Sequence, residues 1–248
     1  MDIRFYGASV TGTSHLAAGL PCHDAHAFSR LGDTGFIAVV SDGMGSAAHA
    51  EKGSRCAADT VLSILSESLS QDMDDDAVRE TIKDAFLETQ TRLQEEADTL
   101  DVDIRDLNAT LLVFVSIDDR QFYGQVGDCA AVGKTGDTYE VIVPQQRGEY
   151  ANATFSVCNP QSVEDGLYGK TDRFYPFVAL MSDGIESVSV SSKDKTVSAL
   201  FFDPFEKAFD KEGFDSAVVS ESLSRFLSSE RINKKTDDDK TLILIKVT

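Results

Sequence analysis

Residues 36–44 read FIAVVSDGM and residues 177–185 read FVALMSDGI. Twice, 141 positions apart (183 minus 42), a continuous apolar run closes on Ser-Asp-Gly. Short runs rich in β-branched and aliphatic residues, bounded by glycine or proline, predict buried strands. A strand apolar on both faces needs cover on both sides, so each belongs inside a layered structure. Each buried strand therefore ends in a carboxylate, Asp42 and Asp183.

Working outward, IRFYGASV at the start reads as a strand, followed by a loop rich in Gly, Ser and His. After Gly45 the period changes. Ala57, Val61, Ile64/Leu65 and Leu69 recur at helical spacing, as do Val78, Ile82, Ala85/Phe86, Leu93 and Leu100. They predict two long amphipathic helices joined at Asp72–Asp76, DMDDD, where acid suits a helix N-terminus. Strands return in residues 109–117 and 121–128, separated by a hairpin-sized gap, and in 131–143 around Gly136-Asp137. Residues 144–176 hold three of the five prolines and little periodicity, predicting an irregular flap. Helical patterns follow in FFDPFEKAF and SAVVSESLSRFL, and TLILIKV (241–247) closes the chain as a strand. The order predicts an α and β protein with mainly antiparallel pairing: stacked sheets with helices outside, as one domain over residues 1–248.

The chain carries 42 acidic and 23 basic residues, a net charge of −19. Such a surface repels phosphate backbones and anionic lipid, which argues against nucleic-acid and membrane partners. No apolar run approaches the roughly 20 residues of a membrane span. The first thirty residues lack a basic start with an apolar core, so a cytoplasmic location is expected. Cys22, Cys56, Cys129 and Cys158 form no CxxC pattern and are read as free thiols.

Asp-Gly at a strand end is an ordinary turn, so neither copy is decisive alone. Three further acidic ends accompany them: His23-Asp24, Gly127-Asp128 after FYGQV, and Asp237-Asp238-Asp239 before the last strand. Were these ends to gather on one edge of a sandwich, like charges would cost several kcal/mol unless cations neutralised them. Hard divalent ions with oxygen ligands, Mg²⁺ or Mn²⁺, suit such a cluster.

In kind and order these motifs resemble the metal-dependent protein phosphatases of the 2C type, in their bacterial branch. His23-Asp24 stands for the early acidic pair, and Asp42-Gly43-Met44-Gly45 for the Asp-Gly-Met-Gly that enters a helix. Gly127-Asp128-Cys129-Ala130 stands for Gly-Asp-Ser-Arg, Ser182-Asp183-Gly184 for Ser-Asp-Gly, and Asp238-Asp239-Lys240-Thr241 for the closing Asp-Asn-x-Thr. The resemblance implies an α+β fold, a four-layer αββα sandwich with two antiparallel sheets between helical layers. It implies hydrolysis of phosphoserine and phosphothreonine by a water activated between two ions, Mn²⁺ or Mg²⁺, with a weaker third. Asp42 would bridge the ions, the Gly43 carbonyl would ligate one, Asp183 and Asp238 would complete the first, and Asp128 would hold the third. Asp24 would orient water, and His23 takes the place of the family's Glu or Gln as a catalytic candidate. The substrate implied is a phosphorylated protein, the target of a serine/threonine kinase.

Departures stand beside the match. The family's phosphate-gripping arginine falls near Gly19, so substrate phosphate would rest mainly on the metals or on another base such as Arg4 or Lys52, and Asp237 or Asp239 could replace Asp238 as ligand. His15 lies in GTSHLAAGLPCHDAH, a segment resembling a bacterial branch of the family; His26 and His49 carry no assigned role. A catalytically weak pseudophosphatase that binds phosphoproteins is the alternative, and a two-metal nuclease a weaker one that the charge disfavours.

Overall fold

The computed structural model describes residues 2–146, 155–191 and 196–248. Ten strands form two five-stranded sheets, antiparallel throughout. In chain order the strands are β1 (Ile3–Val10), β2 (Ala25–Leu31), β3 (Gly35–Ser41), β4 (Leu111–Ile117), β5 (Arg120–Val126), β6 (Ala130–Thr135), β7 (Thr138–Val143), β8 (Leu167–Lys170), β9 (Phe177–Met181) and β10 (Lys240–Val247). The first sheet runs β1-β10-β9-β6-β7 and the second β2-β3-β4-β5-β8.

The apolar runs sort their side chains by the two-residue period of a strand. In β3, Phe36, Ala38 and Val40 enter the core between the sheets, while Ile37 and Val39 face outward. In β10, Ile243, Ile245 and Val247 point inward, and Leu242 and Leu244 outward. A one-residue slip would exchange the two sets, so burial on both faces pins the register.

Helices close both outer faces. Over the second sheet lie α2 (Ala50–Ser68) and α3 (Asp75–Leu100), burying Ala57, Val61, Leu65, Val78, Ile82, Phe86 and Leu93. Asp74 caps α3 by accepting the Ala77 N–H at 2.8 Å, with Asp75 and Asp76 in its first turn. Over the first sheet lie α5 (Asp183–Ser189), α6 (Ala199–Ala208), α7 (Ser216–Leu227) and α8 (Glu230–Asn233). Helix, sheet, sheet, helix: the expected four layers are present.

Two stretches differ from the sequence reading. The segment after β1 is not all loop: it contains the short helix α1 (Thr13–Ala18) and β2. β2 is an edge strand of the second sheet, and its AHAFSRL pattern lacks a buried run because only one neighbour covers it. Residues 144–176, expected as an irregular flap, contain α4 (Pro160–Glu164) and the edge strand β8. β8 has four half-exposed or exposed residues, too few for a visible period. Residues 147–154 of that expected flap lie outside the described residues.

Phe114 is fully buried between the sheets, its ring 6.3 Å from that of Phe36. Phe114→Ala should cost about 3–5 kcal/mol, because a packed interior cannot collapse into the space left. The urea midpoint of purified protein measures it.

Candidate metal centre

Ser41 and Asp42 leave β3 clamped to the chain entering β4. Ser41 Oγ donates to the Thr110 carbonyl at 2.6 Å, the Asp42 N–H to Thr110 Oγ1 at 2.9 Å, and the Thr110 N–H to the Asp42 carbonyl at 2.8 Å. Gly43 passes close to two backbones: an added Cβ would lie 2.6 Å from the Ala50 carbonyl oxygen and 2.7 Å from that of His23. The second Ser-Asp-Gly does something different. Ser182 occupies the N-cap of α5 and Asp183 opens the helix, where its charge suits the dipole.

The far ends converge through β10. The Ser182 hydroxyl donates to Asp24 Oδ2 at 2.7 Å and accepts the Thr241 N–H at 3.0 Å. A Cβ on Gly184 would overlap the Asp239 carbonyl oxygen, so only glycine lets α5 start against this loop. Asp42, Asp128, Asp183 and Asp238 thus meet on the walls of one pocket of about 320 Å³, with His15, Gly43, Met44, Gly45, Ser46, Thr110 and Asp239 completing the lining.

The electrostatics are those of crowded acids. Burial, then the charge of Asp24 and of the facing carboxylates, holds Asp42 well above the ordinary range. Burial pushes Asp183 up to about 6, Asp128 and Asp238 adding repulsion, against the opposing hydrogen bond with Asp42. Burial pushes Asp24 up to about 7 despite the Ser182 hydroxyl, and its Oδ1 is buried without a hydrogen-bond partner. Among the described residues no lysine or arginine lines the pocket. Nor are any three metal-binding side chains among them drawn tightly around one point; they are spread around the pocket walls. The donors are hard oxygens with excess negative charge and an orphaned carboxylate oxygen behind them, which fits Mg²⁺- or Mn²⁺-class ions.

Of the three closing acids, Asp238 faces the pocket and is exposed, and Asp237 does not line it. Asp239 is buried and already occupied: Oδ1 accepts the Gly12 N–H, and Oδ2 the His23 N–H and His15 Nδ1 at 2.9 Å. The His23 ring is buried, does not line the pocket, and lies 4.1 Å from the His15 ring, centroid to centroid. His15 lines the pocket instead. Sequence reasoning gave it no role, and the signal for it is the acid at 239, 224 residues away. Neither substitute base weighed for the missing arginine lines the pocket: Arg4 pairs with Asp2 and the Phe209 carbonyl, and Lys52 lies outside the lining. Buried Lys240 ties the region together, its Nζ donating to Asn233 Oδ1 at 3.1 Å and the Asp238 carbonyl at 3.0 Å.

An antiparallel αββα sandwich with an acidic, oxygen-lined pocket across its strand ends is the architecture of the sandwich-fold phosphatases. The profile of the family described as Protein phosphatase 2C matches residues 11–228. Serine/threonine-protein phosphatase 3 of Escherichia coli (strain K12) is 31% identical over 253 residues, 98% of each chain. Two solved structures share the fold at low identity. The serine/threonine phosphatase Stp1 from Staphylococcus aureus has 15% identity and a TM-score of 0.68, over 100% of this chain and 96% of that one. The serine/threonine phosphatase of S. agalactiae has 12% identity and a TM-score of 0.69, over 100% of both chains. The chain belongs to the protein phosphatase 2C family.

A pH dependence follows for protein held in chelator. Asp183 binds its proton more tightly folded than unfolded, so ionising it costs stability as pH rises from about 4 to about 6. Asp183→Asn removes that cost. The thermal midpoint of the variant relative to wild type should climb across this window and then level; a constant difference would contradict the assignment.

Proposed function

We propose that this chain is a metal-dependent serine/threonine protein phosphatase that hydrolyses phosphoserine and phosphothreonine with water as the nucleophile. The supporting observation is the gathering of Asp42, Asp128, Asp183 and Asp238 in one pocket free of lysine and arginine among the described residues. Unaided, such a pocket repels the dianionic phosphate it would have to bind. Asp42, the Gly43 carbonyl, Asp183 and Asp238 would hold two divalent ions, Mn²⁺ or Mg²⁺, and Asp128 a weaker third. Bound there, the ions supply positive charge for the phosphate oxygens and acidify the attacking water.

The protein's own groups do the rest. Asp24 does not itself line the pocket; buried behind Asp42 with one oxygen unsatisfied, it would act on water only through the wall that Asp42 forms. Asp239 accepts Nδ1–H of His15, which orients the ring; with Nε2 also carrying a proton, the ring would donate from Nε2 to a phosphate oxygen. Among the described residues, His15 is the one lining residue with a side-chain nitrogen. His23 acts through its backbone, its N–H held by Asp239 and its carbonyl accepting the Gly43 N–H at 3.2 Å. The E. coli relative's name, a serine/threonine-protein phosphatase, supports a phosphorylated protein as substrate, which would be the product of a serine/threonine kinase. The net charge of −19 speaks against nucleic acid and anionic membrane as partners. Among the described residues no helix is long and apolar enough to cross a membrane.

Turnover of a phosphothreonine peptide with Mn²⁺, with Mg²⁺ and with chelator tests this directly. Activity should require metal, and Asp42→Asn should lower kcat/KM on the order of 100-fold or more. Folded protein without turnover under any metal would overturn the reading. His15→Ala should weaken inorganic phosphate as a competitive inhibitor about tenfold, roughly 1.4 kcal/mol, and raise KM in proportion. An unchanged inhibition constant would remove His15 from phosphate binding.

A further inference from the structure

On the opposite side of the first sheet, α6, α7 and α8 leave a second and larger cavity, about 630 Å³. It descends between the helices to Tyr6 on β1, which is buried. Its walls are aromatic: Phe201, Phe205 and Phe226 form a cluster with ring centroids 5.3–6.2 Å apart. Its lips carry Leu200 and Val218, 90% and 59% exposed, an unfavourable way to leave large aliphatic groups in water. The size and lining are those of a small-molecule site, apolar with a few polar groups.

The polar groups are unevenly placed. Arg231 and Lys235, one helical turn apart at the α8 end, both line the cavity and make no ion pair among the described residues. Lys211, Glu212 and Asp215 sit where α6 leads into α7. There Asp215 is engaged in capping α7, accepting the Ala217 and Val218 N–H groups at 2.9 and 3.2 Å. One end of an apolar cavity is therefore positive. Depth down to the sheet favours a slender chain over a flat protein surface, and the guanidinium of Arg231 suits a carboxylate.

We infer that this cavity is a binding site for an amphipathic carboxylate of the fatty-acid class, its chain among Phe201, Phe205 and Phe226 and its head at Arg231 and Lys235. The occupant would also touch the elements that lead to the acidic pocket. Val188 of α5 lines the cavity five residues after Asp183 (188 minus 183), about 7–8 Å along the helix. α8 precedes Asp238 and is tied to its carbonyl through Asn233 and Lys240. The site stands independently of the metal chemistry.

Calorimetric titration of the full chain with dodecanoate, in chelator and below the micelle concentration, tests it. Saturable one-to-one binding on the order of 10–100 µM is expected. Arg231→Glu/Lys235→Glu should weaken it at least tenfold, and uncharged dodecanol should bind at least tenfold more weakly than dodecanoate. Val219→Trp, which fills the cavity, should abolish binding; circular dichroism verifies that each variant is folded, and Arg231→Gln serves if the double reversal is not. No saturable heat to 1 mM overturns the proposal, as does equal affinity in the charge variants. Displacement of dodecanoate by an acidic amphipathic peptide of much higher affinity would also overturn it, making the groove a protein-docking site.

Discussion

Carboxylates repel, and this fold forces them together. Asp42 is fastened to Thr110 by backbone and hydroxyl hydrogen bonds, Asp183 is fixed at the start of a helix, and Asp238 is held through its carbonyl by Lys240. None of these anchors is the carboxylate itself, so the acid groups are delivered to the pocket by backbone they cannot relax. Burial first, and the neighbouring carboxylates after it, raise the proton affinity of Asp24, Asp42 and Asp183. Folding energy from three hydrophobic layers maintains an arrangement that is unfavourable by itself, as functional sites commonly are.

Asp239 shows the contrast. It is the most buried of the closing acids, and it is the one whose oxygens are filled by N–H donors from Gly12, His23 and His15. A buried carboxylate with such partners is a structural knot: it joins the turn after β1, the approach to β2 and the start of β10. Asp238, one residue earlier, has its carbonyl held by Lys240 and its exposed side chain in the pocket lining, with Oδ1 accepting only the neighbouring Asp239 N–H at 2.8 Å. Adjacent identical residues thus divide into a fastener and an open carboxylate, decided by which side of the extended chain each occupies.

This division explains what could be read in advance. β3, β9 and β10 announced themselves because two covered faces demand unbroken apolar runs, and Asp42 and Asp183 were legible as their acidic ends. α2 and α3 were legible because helical period and an acidic N-terminus coincide. β2 and β8 were hidden because an edge strand carries half the burial and so half the pattern. His15 was hidden for another reason. Its partner Asp239 is fixed by the antiparallel pairing of β1 with β10, Val10 opposite Lys240, and no local pattern encodes a contact made across the whole chain. His23 drew attention through its neighbour Asp24, yet alternation along the chain sends its ring behind His15 while its amide meets Asp239.

The two outer layers are unequal, and the inequality bears on how the pocket is supported. α2 and α3, 19 and 26 residues long, lie over the second sheet on one large apolar cluster. The layer over the first sheet is built from helices of 7, 10, 12 and 4 residues, with a cavity left among them. Asp42 follows a strand of the well-covered second sheet and Asp128 lies in the link from that sheet to the first, whereas Asp183 and Asp238 adjoin short helices of the looser layer. Local opening costs least where buried apolar contact is sparse. The pocket therefore has one rigid wall and one whose position depends on how α5 and α8 pack, and that packing includes the Val188 and Ile232 side chains bordering the cavity. An occupant of that cavity would bear first on the helices that adjoin Asp183 and Asp238, and Asp183 in turn meets Asp42 through their hydrogen bond.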